Sequence, residues 1–313
     1  MKTLLTISLC SVSLLAIAQD KGINPERLMS KDANKDGKLS KEELGDKFWQ
    51  RAAGQDANGD GVLDPTEIAA MQGKKGRKGE DQTRPGGSNA AFQVREFKGT
   101  NGQTLRYSLF VPAQKTDAPL PLVLCLHGSG GNTAAANVLA APEMQAKHPC
   151  IVIAPACDGK STRWVEGGFR IKDKEVRAVM PELMEMLDAV MDEFKADPAR
   201  IYLTGQSLGG VGSWGLIANH PGKFAAAVPV CGFWDPAEAA KMNGVAIWAF
   251  HGADDPTVPV SGSRDMIAAL KKAAVTPEPK YTEFPGVGHG SWVQTYETAE
   301  LWEWLFAQRK AKP

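Results

Sequence analysis

From Phe92 onward, short apolar runs alternate with helix-length stretches, and that rhythm leaves few architectures open. The runs are Leu122–Leu126, Ile151–Ala154, Ile201–Thr204, Ala226–Val230 and Val245–Phe250, and a final strand is expected at Lys280–Phe284. A strand that is apolar on both faces needs cover on both, and helical crossovers between parallel strands supply it. The rhythm therefore predicts an α/β fold, with one mostly parallel sheet covered by helices on both faces. Leu105, Tyr107, Leu109 and Val111 alternate ahead of the runs, as in a half-buried strand, after a turn at Gly99-Thr100-Asn101-Gly102. Val176, Val179, Met180, Leu183, Met186, Leu187, Val190, Met191 and Phe194 recur at helical spacing, and Pro181 either kinks that helix or starts it.

The chemistry sits at Gly205-Gln206-Ser207-Leu208-Gly209, after the strand Ile201–Thr204 and before a helix expected over Val211–Asn219. A turn this sharp has no room for side chains two residues either side of the serine, which explains Gly205 and Gly209. Ser207 then projects at a helix N-terminus, where backbone N–H groups favour developing negative charge. A serine hydroxyl needs a base, and the base needs an orienting acid. Of five histidines, His127 and His251 precede glycines at strand ends and read as loop braces, while His148 and His220 adjoin prolines or helix ends. His289, in Gly286-Val287-Gly288-His289-Gly290 beyond the last strand, is the candidate base. His251-Gly252-Ala253-Asp254-Asp255 offers two adjacent carboxylates as the acid.

These motifs give the chain a family resemblance. Residues 92–313 resemble the α/β-hydrolase superfamily, through Leu126-His127-Gly128-Ser129-Gly130-Gly131, Arg200 to Gly210, His251-Gly252 to Pro259, and Pro285 to His289. Within it they are similar to secreted carboxylesterases, feruloyl and acetylxylan esterases, polyhydroxybutyrate-depolymerase-like enzymes and a predicted-peptidase branch. The resemblance implies an α/β-hydrolase fold and the order Ser207, Asp255, His289 for nucleophile, acid and base. It selects Asp255 over Asp254. It also implies an oxyanion hole from the N–H groups of Leu208 and Ser129. Trp164 and Trp234, after strands on the expected rim, are candidate substrate platforms. Scattered histidines and the lack of metal-ligand spacing predict no catalytic metal or other catalytic cofactor.

A second pattern precedes the hydrolase-like half. Asp32, Asn34, Asp36, Lys38 (through its carbonyl) and Glu43 fall at calcium-ligand positions of a twelve-residue EF-hand loop, with Gly37 at the turn. Asp56, Asn58, Asp60, Val62 (carbonyl) and Glu67 repeat it 24 residues later, with Gly61 at the turn. Residues 19–72 thus resemble the short, all-α EF-hand pairs of exported bacterial proteins, with structural Ca2+ as ligand. The second loop, with four carboxylates against three, is expected to bind more tightly. Residues 73–91, rich in glycine and lysine, read as a flexible linker.

Met1-Lys2-Thr3 and the apolar stretch Leu4 to Ile17 read as a signal peptide over residues 1–18, cleaved after Ala18, with lipidation of Cys10 as the lesser alternative. The stretch is too short for a membrane span of about 20 residues, and no other candidate span occurs. The protein is accordingly expected in the periplasm or the medium. Export permits disulfides. Cys150 and Cys157, flanking a strand, would lie about 23 Å apart and cannot bridge. Cys157 and Cys231 are the pair worth testing, and four buried thiols are the alternative. With 36 basic and 36 acidic side chains, charge points to no nucleic-acid or acidic-membrane partner. Protein partners are not specified. The function expected is an exported serine carboxylesterase acting on carbohydrate-linked feruloyl or acetyl groups. The alternatives are a serine peptidase of the same fold, or a calcium-dependent adhesion or docking protein with an inactive hydrolase domain.

Overall fold

The computed structural model describes residues 31–45, 62–63, 92–113, 118–131, 134–159, 161–166 and 176–310. The expected signal peptide, the linker, and Asp56, Asn58, Asp60 and Glu67 of the second loop lie outside the described residues. The chain divides into two compact units, Met1–Glu80 and Asp81–Pro313.

In the first unit, β1 (Leu39–Ser40) pairs antiparallel with β2 (Val62–Leu63), setting Leu39 opposite Leu63. Both leucines are fully buried, and each is the eighth residue of its twelve-residue loop. It is therefore the two loops that pair. Helix α1 (Lys41–Leu44) opens on a capping box: Ser40 Oγ accepts the Glu43 N–H at 3.3 Å, and Glu43 accepts the Ser40 N–H at 2.8 Å.

The second unit is built on an eight-stranded sheet. Its strands are β3 (Gln93–Lys98), β4 (Thr104–Phe110), β5 (Leu122–Leu126), β6 (Ile151–Pro155), β9 (Ile201–Gln206), β10 (Ala226–Val230), β11 (Ala246–Gly252) and β12 (Lys280–Phe284). A separate short parallel pair, β7 (Thr162–Arg163) and β8 (Arg177–Ala178), lies outside it. The order across the sheet is β3-β4-β6-β5-β9-β10-β11-β12, with β3 and β4 antiparallel to their neighbours and all other pairs parallel. Every residue of β5, β6, β9, β10 and β11 is buried.

Period two divides each central strand between two cores. Leu122, Leu124, Ile153, Leu203 and Ile247 face one side, where they meet helix α4 (Met180–Phe194), helix α5 (Leu208–Asn219) and helix α6 (Ser261–Lys272). Val123, Val152, Tyr202, Val228 and Phe250 face the other side. There they meet helix α2 (Ala134–Leu139), Met144 of helix α3 (Pro142–Lys147), Tyr296 of helix α7 (Trp292–Glu297) and helix α8 (Ala299–Ala307). Pro181 lies in the first turn of α4, so it starts that helix and does not kink it. Among the described residues no helix is long and apolar enough to cross a membrane.

The sheet also positions the site. The chain steps from β5 outward to β6 and then returns to β9 on the other side of β5. Loops leaving β5 and β9 therefore diverge at their carboxyl ends, where open parallel sheets form a crevice.

Candidate active site

Ser207 caps that crevice as the residue between β9 and α5. Its backbone stands at φ 55° and ψ −115°, a conformation that L side chains rarely adopt. The turn is possible because its flanks are glycines. A Cβ on Gly205 would overlap the Gly209 carbonyl and come 2.9 Å from Leu126 Cβ, and one on Gly209 would overlap the Leu126 carbonyl. The first intrahelical bond of α5 runs from the Val211 N–H to the Ser207 carbonyl, at 2.9 Å. The N–H groups of the helix's first residues, Leu208 among them, have no carbonyl one turn behind them.

His289 is delivered by the loop after β12. Its Nε2 is 2.9 Å from Ser207 Oγ, and its Nδ1 is 2.7 Å from Asp255 Oδ2. The Asp255 side chain is fully buried, whereas that of His289 keeps 22% of its surface open. The acid and base loops are stitched together by main chain: the Asp254 N–H donates to the Val287 carbonyl at 3.0 Å, and Ala253 donates to Phe284 at 3.0 Å. Asp254 itself is exposed, so of the two adjacent carboxylates the structure turns Asp255 inward.

Asp255 Oδ1 accepts the N–H groups of Thr257 and Val258 at 2.8 and 2.9 Å. Burial by itself would raise this carboxyl. Hydrogen bonds from His251, His289, Val258 and Thr257 outweigh burial and hold it well below the usual carboxylate range. It is an anion wherever an imidazole is neutral, which is what orients and charges a base.

The turn after β5 stands against the serine, with Gly128 packed on Gln206 and Ser207. The Gly131 N–H closes it onto the Gly128 carbonyl at 3.0 Å. Ser129, the second expected oxyanion donor, lies on this turn beside Gly159, which also contacts Leu208. His127 braces the turn from beneath. Its Nε2 accepts the Cys157 N–H at 3.1 Å, so Nδ1 carries the hydrogen and donates to the Gly128 carbonyl at 2.6 Å. Burial lowers its pKa, which keeps this brace neutral.

Trp164 corrects an expectation. It is fully buried, and a buried ring offers no platform to a sugar or a phenol. Its indole N–H donates to the His127 carbonyl at 3.0 Å, and its ring packs on Gly212 of α5. Trp164 thereby ties the turn after β5 to the helix behind Ser207. Trp234 is half-buried, with its ring edge against Gly215 and its N–H on Glu238 at 2.8 Å. Gly212 of α5 draws Trp164 inward, away from the expected rim, whereas Trp234 stays half-buried.

Other neighbours of the site carried no motif in the sequence. Cys231, at φ 40°, brings its sulfur within 4.8 Å of donor atoms of Asp255 and His289. Burial pushes its thiol up to about 12, so it stays protonated. The Trp292 ring meets the His289 imidazole edge-on, with centroids 5.4 Å apart. Cys125, Cys150, Cys157 and Cys231 are all free and buried, so the Cys157–Cys231 bridge is not formed.

Asp32 Oδ2 accepts the Gly37 N–H at 3.0 Å, while Asp32 Oδ1 is buried without a hydrogen-bond partner among the described residues. Asn34 and Asp36 each accept an N–H two residues on, at 2.9 and 2.8 Å, which winds the loop about its turn. Glu43 reaches back across the loop to the Ala33 N–H at 3.0 Å. An orphaned carboxylate oxygen inside a ring of oxygen donors fits a hard cation such as calcium.

Comparison with known proteins adds to this geometry. Residues 32–49 match the EF hand family. The chain is 29% identical to "Putative esterase NocK" of Nocardia uniformis subsp. tsuyamanensis over 51% of its own length and 48% of the relative's. It is 30% identical to poly(3-hydroxyalkanoate) depolymerase C of Paucimonas lemoignei, over 46% of its length and 34% of the relative's. The match thus spans at most about half of either curated relative. A crystal structure of a thermostable esterase is similar at 36% identity and a TM-score of 0.63, over 70% of this chain and 64% of that one. Residues 99–308 match the family described as "Putative esterase", and the chain belongs to that family.

Proposed function

We propose that the protein is an exported serine esterase that hydrolyses carboxylic esters through an acyl-enzyme, with feruloyl or acetyl groups on plant or algal polysaccharide as substrate. The observation that carries this reading is the pair of bonds at His289, 2.9 Å to Ser207 Oγ and 2.7 Å to Asp255. In the first step Ser207 Oγ attacks the ester carbonyl carbon while His289 Nε2 takes the hydroxyl proton. The resulting oxyanion faces the N–H groups of Leu208 and Ser129, each worth about 3 kcal/mol to a transition state. His289 then gives its proton to the departing alkoxide, which leaves as the alcohol. Water attacks the acyl-Ser207 with His289 again as base, releasing the carboxylic acid and restoring the serine. Asp255 holds the imidazole with Nδ1–H toward itself and stabilises the imidazolium.

Calcium belongs to the accessory unit in this reading. Asp32, Asn34, Asp36, Glu43 and the Lys38 carbonyl would hold one ion, and Asp56, Asn58, Asp60, Glu67 and the Val62 carbonyl a second. The ion supplies structural cross-linking and no step of ester hydrolysis.

The test is a substrate panel on the purified mature protein, beside Ser207→Ala: a nitrophenyl ester, methyl ferulate, acetylated xylan, a 3-hydroxyalkanoate oligomer and a chromogenic peptide. Hydrolysis of esters that disappears in Ser207→Ala is expected. Peptide cleavage without ester cleavage would make the protein a peptidase. Inertness of a folded parent toward the whole panel would favour an adhesion or docking role.

A further inference from the structure

We infer that His251, backed by Ser263, is a positioning residue for this site: it closes the Asp255 loop and presents its Nε2–H to Oδ2, the same carboxylate oxygen that orients His289. The inference rests on the triad reading above. The geometry begins at β11, where the His251 ring is fully buried. Its Nε2 lies 3.0 Å from the Val258 carbonyl and 3.3 Å from Asp255 Oδ2. Both neighbours are acceptors, so Nε2 carries a hydrogen and shares it between them. Val258 is the residue at which the acid loop returns, so one imidazole pins the loop's start to its end.

Asp255 is consequently surrounded. Two backbone N–H groups fill Oδ1, and two imidazoles face Oδ2 from opposite partners, His289 at 2.7 Å and His251 at 3.3 Å. The other nitrogen of His251 is engaged as well, with Nδ1 2.8 Å from Ser263 Oγ. That hydroxyl lies 3.1 Å from the Gly232 carbonyl, just beyond β10. The Ser263 hydroxyl has one proton, which the Nδ1 lone pair takes, so a polar line runs from Ser263 through His251, Asp255 and His289 to Ser207, with the Gly232 carbonyl beside it. It joins the ends of β9, β10 and β11 to helix α6. A ring that only filled space would need neither nitrogen, whereas both nitrogens of His251 are engaged.

This arrangement has an electrostatic consequence. A second donor on Oδ2 draws on the charge that Asp255 otherwise offers to His289. Removing it makes the carboxylate a stronger partner for the His289 imidazolium, and the base should hold its proton to higher pH. Other titratable groups around the line do not confuse that readout. Cys231 stays a protonated thiol at about 12, and Glu283, which faces His251 from β12, is held down to about 2, chiefly by the Arg264 guanidinium.

The experiment uses the full chain with His251→Leu, His251→Gln and Ser263→Ala. Rates on a small chromogenic ester are measured across the imidazole titration range, with active sites counted by a serine-directed phosphonate. For His251→Leu, kcat should fall roughly 10- to 100-fold with KM changed less than about threefold, and the acid limb of kcat/KM should move about half a pH unit upward or more. His251→Gln places an amide donor near the Nε2 position and should recover most of both. Ser263→Ala should shift the limb in the same direction by less, and it remains informative if His251→Leu does not fold. Variants that lose only thermal stability, with the parent's rate per titrated site and the parent's acid limb, would overturn the inference and leave His251 a packing brace. If Ser207→Ala keeps hydrolysing the ester, the triad reading itself has failed. If Ser207→Ala is inert while the His251 variants match the parent, only the inference has.

Discussion

Ser207 gives the clearest quantitative test, because its reactivity and its backbone strain can be separated. At φ 55° and ψ −115° it occupies a region that costs a residue with a Cβ on the order of 1–3 kcal/mol. Ser207→Ala removes the hydroxyl and keeps the Cβ. Ser207→Gly removes both. The lost bond between Oγ and His289, 2.9 Å long, is common to the two variants and cancels in their difference. Glycine relieves the strain but gives the unfolded chain back about 0.5–1 kcal/mol of conformational freedom. Taking the middle of each range, Ser207→Gly should be more stable than Ser207→Ala by about 1 kcal/mol. For a unit of this size that is a Tm difference of about 2–4 °C. Thermal unfolding followed by tryptophan fluorescence reads the catalytic unit, since every tryptophan but Trp49 lies beyond Phe92. Both variants should be inert toward a nitrophenyl ester. If Ser207→Gly melts at or below Ser207→Ala, the turn is relaxed in the serine protein, and the argument that the fold holds a strained nucleophile is wrong.

Asp255→Asn should lower kcat on the order of 10^4-fold, as loss of the orienting anion does in a serine triad, while exposed Asp254→Asn should stay near the parent; initial rates of the two decide between them. Because the Asp255 carboxyl is held below its unfolded value of 3.8, its stabilising contribution is complete above about pH 4 and fades as pH falls through the folded value. Melting temperatures of Asp255→Asn should therefore decline less steeply than the parent's in acid. The buried thiols, three of them raised to about 12, should not react with a maleimide in the native protein, and all four should react once it is unfolded, as read by mass. Calcium should raise the melting temperature of the unit Met1–Glu80, and a chelator should leave small-ester turnover unchanged; calorimetry beside initial rates checks both outcomes.

Much of this protein is written locally in its chain. Continuous apolar runs at 122, 151, 201, 226 and 245 can only be strands covered on both faces, and the sheet contains all five. Gly205 and Gly209 announce a strand-to-helix turn because nothing larger avoids the Leu126 and Gly209 carbonyls. The turn at Gly37 is legible for a similar reason, since Asp32, Asn34 and Asp36 recur at the steps that let their carboxylate and amide oxygens accept the turn's N–H groups. Strand β3 was not legible, because Gln93–Lys98 has no apolar run and owes its conformation to backbone pairing with β4. Nor did residue type alone separate Asp254 from Asp255. That choice is made by the chain path, which ties the Asp254 N–H to Val287 and turns the next side chain inward. Trp164 shows the limit most sharply: its place after a strand suggested a rim, and the missing side chain of Gly212 takes it into the core. Likewise, the pairing of His251 with Ser263 and with Asp255 Oδ2 depends on where β10, β11 and α6 meet. Local sequence determines which backbone shapes are possible, because sterics and hydrogen bonding act over a few residues. Which side chains face one another across strand ends is decided only when the sheet assembles.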